Sequence, residues 1–287
     1  MRSPVLYVSD LDGTLLDPSG QLSEHSRGQL LDLFQQGIPF TVASARSLVS
    51  MKERLGDLPF KLPVIEFNGA YLTDYHTGEK LVSHKFASGM VGDIQKVMCE
   101  QGVIYFVSSH DGTEDHVYHT SERNGGMDYY LNEREQAGDP RLRLTQDWSE
   151  IFKEEVVCFT AVDYEEPMRR LREVLQERFG GELTMHLWDD TYATGWWWLM
   201  IHHPDACKGK AIRALQKSQG MTEHQVTVFG DQVNDLGMMA VADRKIAVAN
   251  ACPQILEAAD LVVKSNEYDP VTEFIIRDWQ PADRLLQ

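Results

Sequence analysis

The most restrictive feature of this chain is a pattern that holds at both ends and lapses in the middle. Near the N-terminus, apolar runs of strand length alternate with amphipathic helical stretches. The strands are expected at Val5–Ser9, Pro39–Ala43 and Val64–Phe67. The helices between them run from a Ser23 cap to about Gln36 and from about Ser47 to Leu55. Asn68-Gly69 is a turn signal leading into a hairpin around His76-Thr77-Gly78. The alternation returns late in the chain, with helices at Lys208–Gln219, Asn234–Ala240, Pro253–Ala258 and Asp269–Asp278. Strands at Gln225–Phe229, Lys245–Val248 and Leu261–Val263 separate them. Alternating strands and helices imply a parallel sheet with right-handed crossovers and helices on both faces. The expected fold class is α/β, a Rossmann-like doubly wound parallel sheet built from residues 1–82 and 205–287.

Residues 83–204 read differently. Amphipathic helices are expected near Ser88–Gln101 and Glu165–Phe179. Strands are expected near Ile104–Ser108, Val156–Val162, Leu183–Leu187 and Gly195–Ile201. This is a mixed α/β domain inserted into the sheet, and 287 residues suffice for two cores. The polar, glycine-containing stretch from His110 to Gly138 reads as a long surface loop or an irregular excursion.

Four motifs sit at the predicted edges of strands or helices. Asp10-Leu11-Asp12-Gly13-Thr14 follows the first strand, where open parallel sheets bind ligands. Residues i and i+2 of an extended segment point the same way, so Asp10 and Asp12 can face one ligand, and a cation between them would relieve their repulsion. An isolated acidic turn with an Asx cap would look the same. Ser44-Ala45-Arg46 follows the second strand and offers a hydroxyl and peptide N–H groups to an anion. It also reads as a helix N-cap with a solvated arginine. Lys208-Gly209-Lys210 opens a helix, and Lys208, at its start, is placed to meet a phosphate as a point charge. Gly230-Asp231-Gln232-Val233-Asn234-Asp235 follows a Val-Thr-Val-Phe strand and supplies oxygen ligands for a hard divalent cation.

In this order and spacing the four motifs resemble the haloacid dehalogenase superfamily of aspartate-nucleophile phosphatases. The insertion at 83–204 looks like the α/β cap of its Cof-type subfamily. Asn68-Gly69-Ala70, Asn250-Ala251 and Ser265-Asn266 are similar to lesser features of that subfamily. Two positions depart from it, Ala45 and Pro270, where the subfamily usually has glycine. The resemblance implies a phosphohydrolase in which Asp10 is the nucleophile and Asp12 the proton carrier. It implies Mg2+ held by the Asp10 carboxylate, the Asp12 carbonyl and Asp231, with Asp235 completing or supporting the shell. Ser44, Lys208, Asn234 and the backbone at Leu11 and Ala45 would hold the phosphoryl oxygens, with Arg46 and Asn68 as further candidates. The expected substrate is a small phosphate ester, a sugar phosphate being favoured. A phosphomutase on the same core, or a non-catalytic phosphometabolite-binding regulator, are the rival readings.

Composition narrows the partners. A net charge of −17 repels nucleic acid and anionic membranes, so neither is expected to bind. An acidic protein that binds an anion must build its positive potential locally, from a metal ion and a few cationic side chains. No apolar run is long enough to cross a bilayer, and the Val5–Val8 run ends at Asp10, unlike a signal peptide. Cys99, Cys158, Cys207 and Cys252 show no ligand spacing and read as reduced thiols. A cytoplasmic monomer or small homo-oligomer is expected. His202-His203 point to opposite faces of a strand and so are not expected to share one ion. Of Trp196-Trp197-Trp198 the middle ring should face away from the other two. Asp189-Asp190 and Glu154-Glu155 are expected to be solvated.

Overall fold

The computed structural model describes residues 4–189 and 194–279. The chain divides into two compact units, Met1–Ser83 with Ala206–Gln287, and His84–Asp205. The first opens with β1 (Val5–Ser9), α1 (Glu24–Gln35), β2 (Phe40–Val42) and α2 (Leu48–Leu55). A hairpin sheet follows, made of β3 (Val64–Glu66), β4 (Tyr71–Thr73) and β5 (Lys80–Ser83). The inserted unit runs through α3 (Ser88–Gln101), β6 (Tyr105–His110), β7 (Asp115–His119), α4 (Gly125–Ala137) and β8 (Leu142–Leu144). It continues with β9 (Glu155–Asp163), α5 (Glu165–Phe179), β10 (Thr184–Asp189) and β11 (Trp197–His202). The first unit then resumes with α6 (Lys208–Ser218), β12 (Gln225–Gly230), α7 (Leu236–Met239) and β13 (Arg244–Val248), and closes with α8 (Pro253–Ala258), β14 (Leu261–Val263) and α9 (Pro270–Asp278).

Five strands form one all-parallel sheet in the order β14-β13-β12-β1-β2. Alternation along β1 explains why both faces are covered. Tyr7 joins a core with Leu30, Phe34, Met51 and Ile275 of α1, α2 and α9. Leu6 and Val8 join the opposite core with Ile212, Met238 and Ile255 of α6, α7 and α8. A strand buried on both sides reads as a continuous apolar run, and this one does. Segment Val64–Phe67 departs from expectation, because β3 meets the parallel sheet through an isolated Ala43–Ile65 bridge and not as a full strand of its ladder. The turn at Asn68-Gly69 sends the chain straight back, so β3 pairs antiparallel with β4 instead.

The inserted unit is a six-stranded sheet in the order β10-β11-β9-β6-β7-β8, antiparallel except between β7 and β8. Helices α3 and α5 cover one face, over Phe159, Ala161, Leu199 and Ile201. The other face carries Phe106, Val162 and Trp198 against Met127 and Leu131 of α4. Here the expected loop at 110–138 is wrong, since it contains β7 and α4. Asn124 caps α4 by accepting the Met127 N–H at 2.9 Å, and Gly138 ends it in the left-handed region. The glycines that read as loop signals at its start are there for packing. A Cβ on Gly126 would lie 2.6 Å from Val162 and 2.8 Å from the Trp196 ring.

Two smaller expectations also change. Glu154 is not solvated: its carboxylate accepts from Ser109 and Tyr118, both at 2.6 Å, and meets His116 at 2.9 Å. Glu155 is paired with Lys85. Asp189 is exposed as expected, and Asp190 lies outside the described residues. The tryptophans divide by strand alternation, Trp197 packing toward α5 and Trp196 and Trp198 toward α4.

Candidate active site

From β1 the sheet proceeds to β2 on one side, and from β12 to β13 on the other. The carboxyl ends of β1 and β12 therefore flank a topological switch point, the crevice where such sheets take ligands. Asp10 follows β1 directly, and its N–H donates to the Phe229 carbonyl at 2.9 Å. Leu11–Leu15 then forms a tight turn, broken at Gly13 with φ +74°. A Cβ on Gly13 would stand 2.4 Å from Asp231 Oδ2. Only glycine lets this turn lie against the Asp231 carboxylate. Thr14 then orients that carboxylate, donating to Asp231 Oδ1 at 2.8 Å.

Lys208, the first residue of α6, joins the two strand ends. Its Nζ donates to Asp10 Oδ1 and to Asp235 Oδ1, each at 2.6 Å, and its side chain is wholly buried. The second oxygen of Asp235 accepts the N–H groups of Asp231 and Gln232 at 2.9 and 3.2 Å, so one carboxylate fixes both its own loop and the lysine. Carboxylate oxygens of Asp10, Asp231 and Asp235 all lie within 4.8 Å of one another. Three carboxylates against one ammonium leave a formal charge of −3 + 1 = −2. Burial raises the Asp10 pKa well above the usual carboxylate range, and repulsion from Asp235 adds to it against the attraction of Lys208. Burial, with Asp235 next, pushes Asp231 up to about 7. Burial would lower the Lys208 pKa, but Asp10 and Asp235 outweigh it and raise it. An all-oxygen donor set short of positive charge fits a hard divalent cation.

The other candidates lie around this cluster. Asp12 is apart from it. Both oxygens of its carboxylate are held by Arg46, through Nε and a terminal nitrogen, each at 2.7 Å. Arg46 also donates to Ser50 Oγ at 2.9 Å, so it is not a solvated side chain. Ser44 does not cap α2, a task that falls to Ser47. The buried Ser44 hydroxyl instead accepts the Arg46 N–H at 3.1 Å across Ala45. Asn234 donates to Asn68 Oδ1 at 3.0 Å, and Asn68 sits in the left-handed region at φ 56°. Leu11 is buried at the head of the first turn. Sequence reasoning gave no role to Thr14, Asn250 or Asn266. Asn250 Nδ2 donates to the Gly13 carbonyl at 2.7 Å, and Asn266 Nδ2 to the Leu16 carbonyl at 2.8 Å. An Asn266 N–H to Asn250 Oδ1 bond links the two braces at 3.0 Å. In the sequence Thr14 shows only as the end of the first motif, and the two asparagines only as pairs that resemble lesser features of the Cof-type subfamily.

With this fold and this cluster in view, residues 7–275 match the haloacid dehalogenase-like hydrolases, and the chain belongs to that family. Within it the chain is a phosphatase of the Cof type. The 5-amino-6-(5-phospho-D-ribitylamino)uracil phosphatase YwtE of Bacillus subtilis is 26% identical, over 93% of this chain and 95% of its own length. The pyridoxal phosphate phosphatase YbhA of Escherichia coli is 25% identical, over 93% and 95%. The crystal structure of TM0651 from Thermotoga maritima superposes with a TM-score of 0.76 at 26% identity, covering 96% of this chain and 98% of that one. Among the described residues no helix is long and apolar enough to cross a membrane.

Proposed function

We propose that this phosphatase is Mg2+-dependent and hydrolyses the monoester of a small phosphorylated metabolite through an aspartyl-phosphate on Asp10. The observation that carries this reading is the pairing of one buried lysine with two of three clustered carboxylates, a charge set that a divalent cation completes. Asp10, Asp231 and Asp235 would hold or support the ion, with the Asp12 carbonyl, and when bound it neutralises phosphoryl oxygens. Lys208 holds Asp10 by one oxygen, which leaves the other to attack phosphorus. That oxygen bonds to phosphorus as the ester P–O bond breaks, and Asp12 gives a proton to the departing oxygen. Water then attacks phosphorus, Asp12 takes its proton, and the bond to Asp10 breaks to release phosphate. Asp12 must first turn from Arg46, which grips both of its oxygens. Ser44, Asn234 and the peptide groups of Leu11 and Ala45 orient the phosphoryl oxygens, Asn68 positions Asn234, and Arg46 governs Asp12. Positioning and charge neutralisation carry most of phosphoryl-transfer catalysis.

Residues 83–204 serve as the cap that selects the substrate. Two relatives named for phosphorylated nitrogen heterocycles argue for testing such esters beside the sugar phosphates. The test is phosphate release by the purified chain from a panel of both kinds, with and without chelator. Release that stops with chelator and returns with Mg2+ is expected. Full release in chelator, or by the Asp10→Asn variant, would overturn the proposal.

A further inference from the structure

The inserted unit holds a second group of metal-ligand side chains, unlike the first in chemistry. His84, His203 and Asp205 offer ligand atoms that all lie within 4.8 Å of one another. His84 is the first residue of the inserted unit and Asp205 its last. The three residues therefore sit on the two segments by which the chain enters and leaves that unit. Strand alternation argues that His202 and His203 do not share one ion and reads both as surface or hinge residues, which holds for the half-exposed His203 and fails for His202. His202 is fully buried, with a ring nitrogen 3.2 Å from the Val157 carbonyl. His203, one residue beyond β11, turns the other way, and its ring lies nearly parallel to that of His84, 6.2 Å between centroids. Its true neighbour is thus a histidine 119 positions earlier (203 − 84).

Three details favour an ion here. The His203 Nδ1 accepts the Asp205 N–H at 3.1 Å, so the neutral ring carries its proton on Nε2 and aims the Nδ1 lone pair toward Asp205. The Asp205 carboxylate stands 3.9 Å from the same nitrogen. Both side chains are reachable from solvent, His203 at 32% and Asp205 at 50% exposure. Tetrahedral ligands about 2.1 Å from a zinc ion stand about 3.4 Å apart, so side-chain rotation closes the group without moving the backbone far. An ion at Nδ1 displaces the Asp205 amide and leaves the Nε2 proton in place.

The geometry points to a zinc-type divalent cation site formed by His84, His203 and Asp205, with water at the fourth position. Imidazole ligands suit zinc, copper, nickel and cobalt, whereas magnesium prefers oxygen. The site is therefore separate in chemistry from the carboxylates of Asp10, Asp231 and Asp235. Binding would tie the entering segment to the leaving one, so an ion that takes no part in phosphoryl transfer would restrain both connections of the inserted unit.

The test uses the full chain in excess Mg2+, titrated with Zn2+ by calorimetry and with Co2+ by its visible absorption. One saturable ion per chain is expected, with the side-chain NMR signals of His84 and His203 shifting together and slower hydrogen exchange at 84–87 and 203–206. His84→Gln and His203→Gln should each lose that ion while keeping Mg2+-dependent phosphate release. Asp10→Asn should keep it. If His84→Gln and His203→Gln bind zinc as the wild type does, or if Asp10→Asn abolishes binding, the ion sits elsewhere and the site is refuted. Absence of saturable binding in the wild type would refute it equally.

Discussion

Two polar clusters attach to the same parallel sheet, and they are built on opposite plans. One joins Tyr7 of β1, Thr227 of β12, Arg244 of β13 and Asp278 of α9. The Tyr7 hydroxyl donates to Asp278 at 2.6 Å, while Arg244 pairs with both Asp278 oxygens and donates to Thr227 Oγ1 at 2.9 Å. One cation meets one anion, and every strong donor has an acceptor. At the carboxyl ends of β1 and β12, three carboxylates share one ammonium, and the pKa values of Asp10 and Asp231 are driven up. Buried charge is costly unless it is paired, so the closed cluster serves stability and the open one retains a deficit for something to fill. That contrast separates a structural network from a reactive site more sharply than burial does, since both are largely buried.

The most severe way to break the contrast is to empty the open cluster of its nucleophile. Asp10→Asn should abolish turnover with every substrate, yet in metal-free buffer its melting temperature should not fall, because a repelled buried carboxylate has gone. A large loss of stability would mean that Asp10 is balanced like Asp278. Next in size is Asp12→Asn, which should slow hydrolysis of alkyl phosphates by about 10²- to 10⁴-fold. An aryl phosphate such as p-nitrophenyl phosphate has a stable leaving group, so its first step should survive better. The variant should then accumulate hydroxylamine-sensitive phosphoenzyme. Equal losses on both substrates without a trapped intermediate would remove Asp12 from proton transfer.

How much of this could be read in advance depended on distance along the chain. Asp10 and Asp12 announce themselves because i and i+2 at a strand end share a face, and Asp231 to Asp235 because a glycine and four polar residues follow an apolar run. The doubly wound sheet is legible for the same reason, since strand, turn and helix signals are all local. The Arg46–Asp12 pair spans 34 residues, and the Asn250–Gly13 brace spans 237, so neither leaves a local mark. Helix α4 was hidden differently. Among the described residues of α4, Met127, Leu131 and the flanking Tyr130 join its core, too few to raise a 3.6-residue pattern above the surrounding polarity. The closed cluster of Tyr7, Arg244 and Asp278 had no signature, because each residue alone is an ordinary strand or helix-end residue.

Lys208→Met sharpens the comparison from the cationic side. It leaves three carboxylates without their ammonium, and removing one partner of a buried ion pair costs about 3–5 kcal/mol. Urea unfolding in chelator at pH 8 should show that loss, and Mg2+ should restore part of it. The wild type should share the underlying pH dependence. Asp231 titrates at about 7 folded against an ordinary 3.8, so the folded state binds more protons between those values and its stability falls as pH rises through 7. Mg2+ should flatten that slope by favouring the ionised form. A slope unchanged by Mg2+ would place its origin in the general negative charge of the protein instead.

The smallest effect belongs to the closed cluster. Tyr7→Phe removes one hydrogen bond to a charged acceptor and leaves Arg244 to hold Asp278, a loss of about 1.5–3 kcal/mol at pH 7 with phosphatase turnover unchanged. The alkaline limb gives the finer measurement. Burial, and then the hydrogen bond to Asp278, raise the Tyr7 pKa above its ordinary value of 10.0. Between that value and the raised one the unfolded phenol has lost its proton and the folded phenol has not. Stability from Tyr7 is therefore complete below pH 10 and drains away as pH rises above it. Tyr75, Tyr105 and Tyr118 are raised too, so the wild-type curve alone cannot isolate one ring. The difference between wild type and Tyr7→Phe can. It should be constant from pH 6 to 9 and shrink above pH 10, measured by urea unfolding at each pH. A difference that stays constant to pH 11 would mean that the Tyr7 hydroxyl titrates as freely in the folded protein as in the unfolded chain.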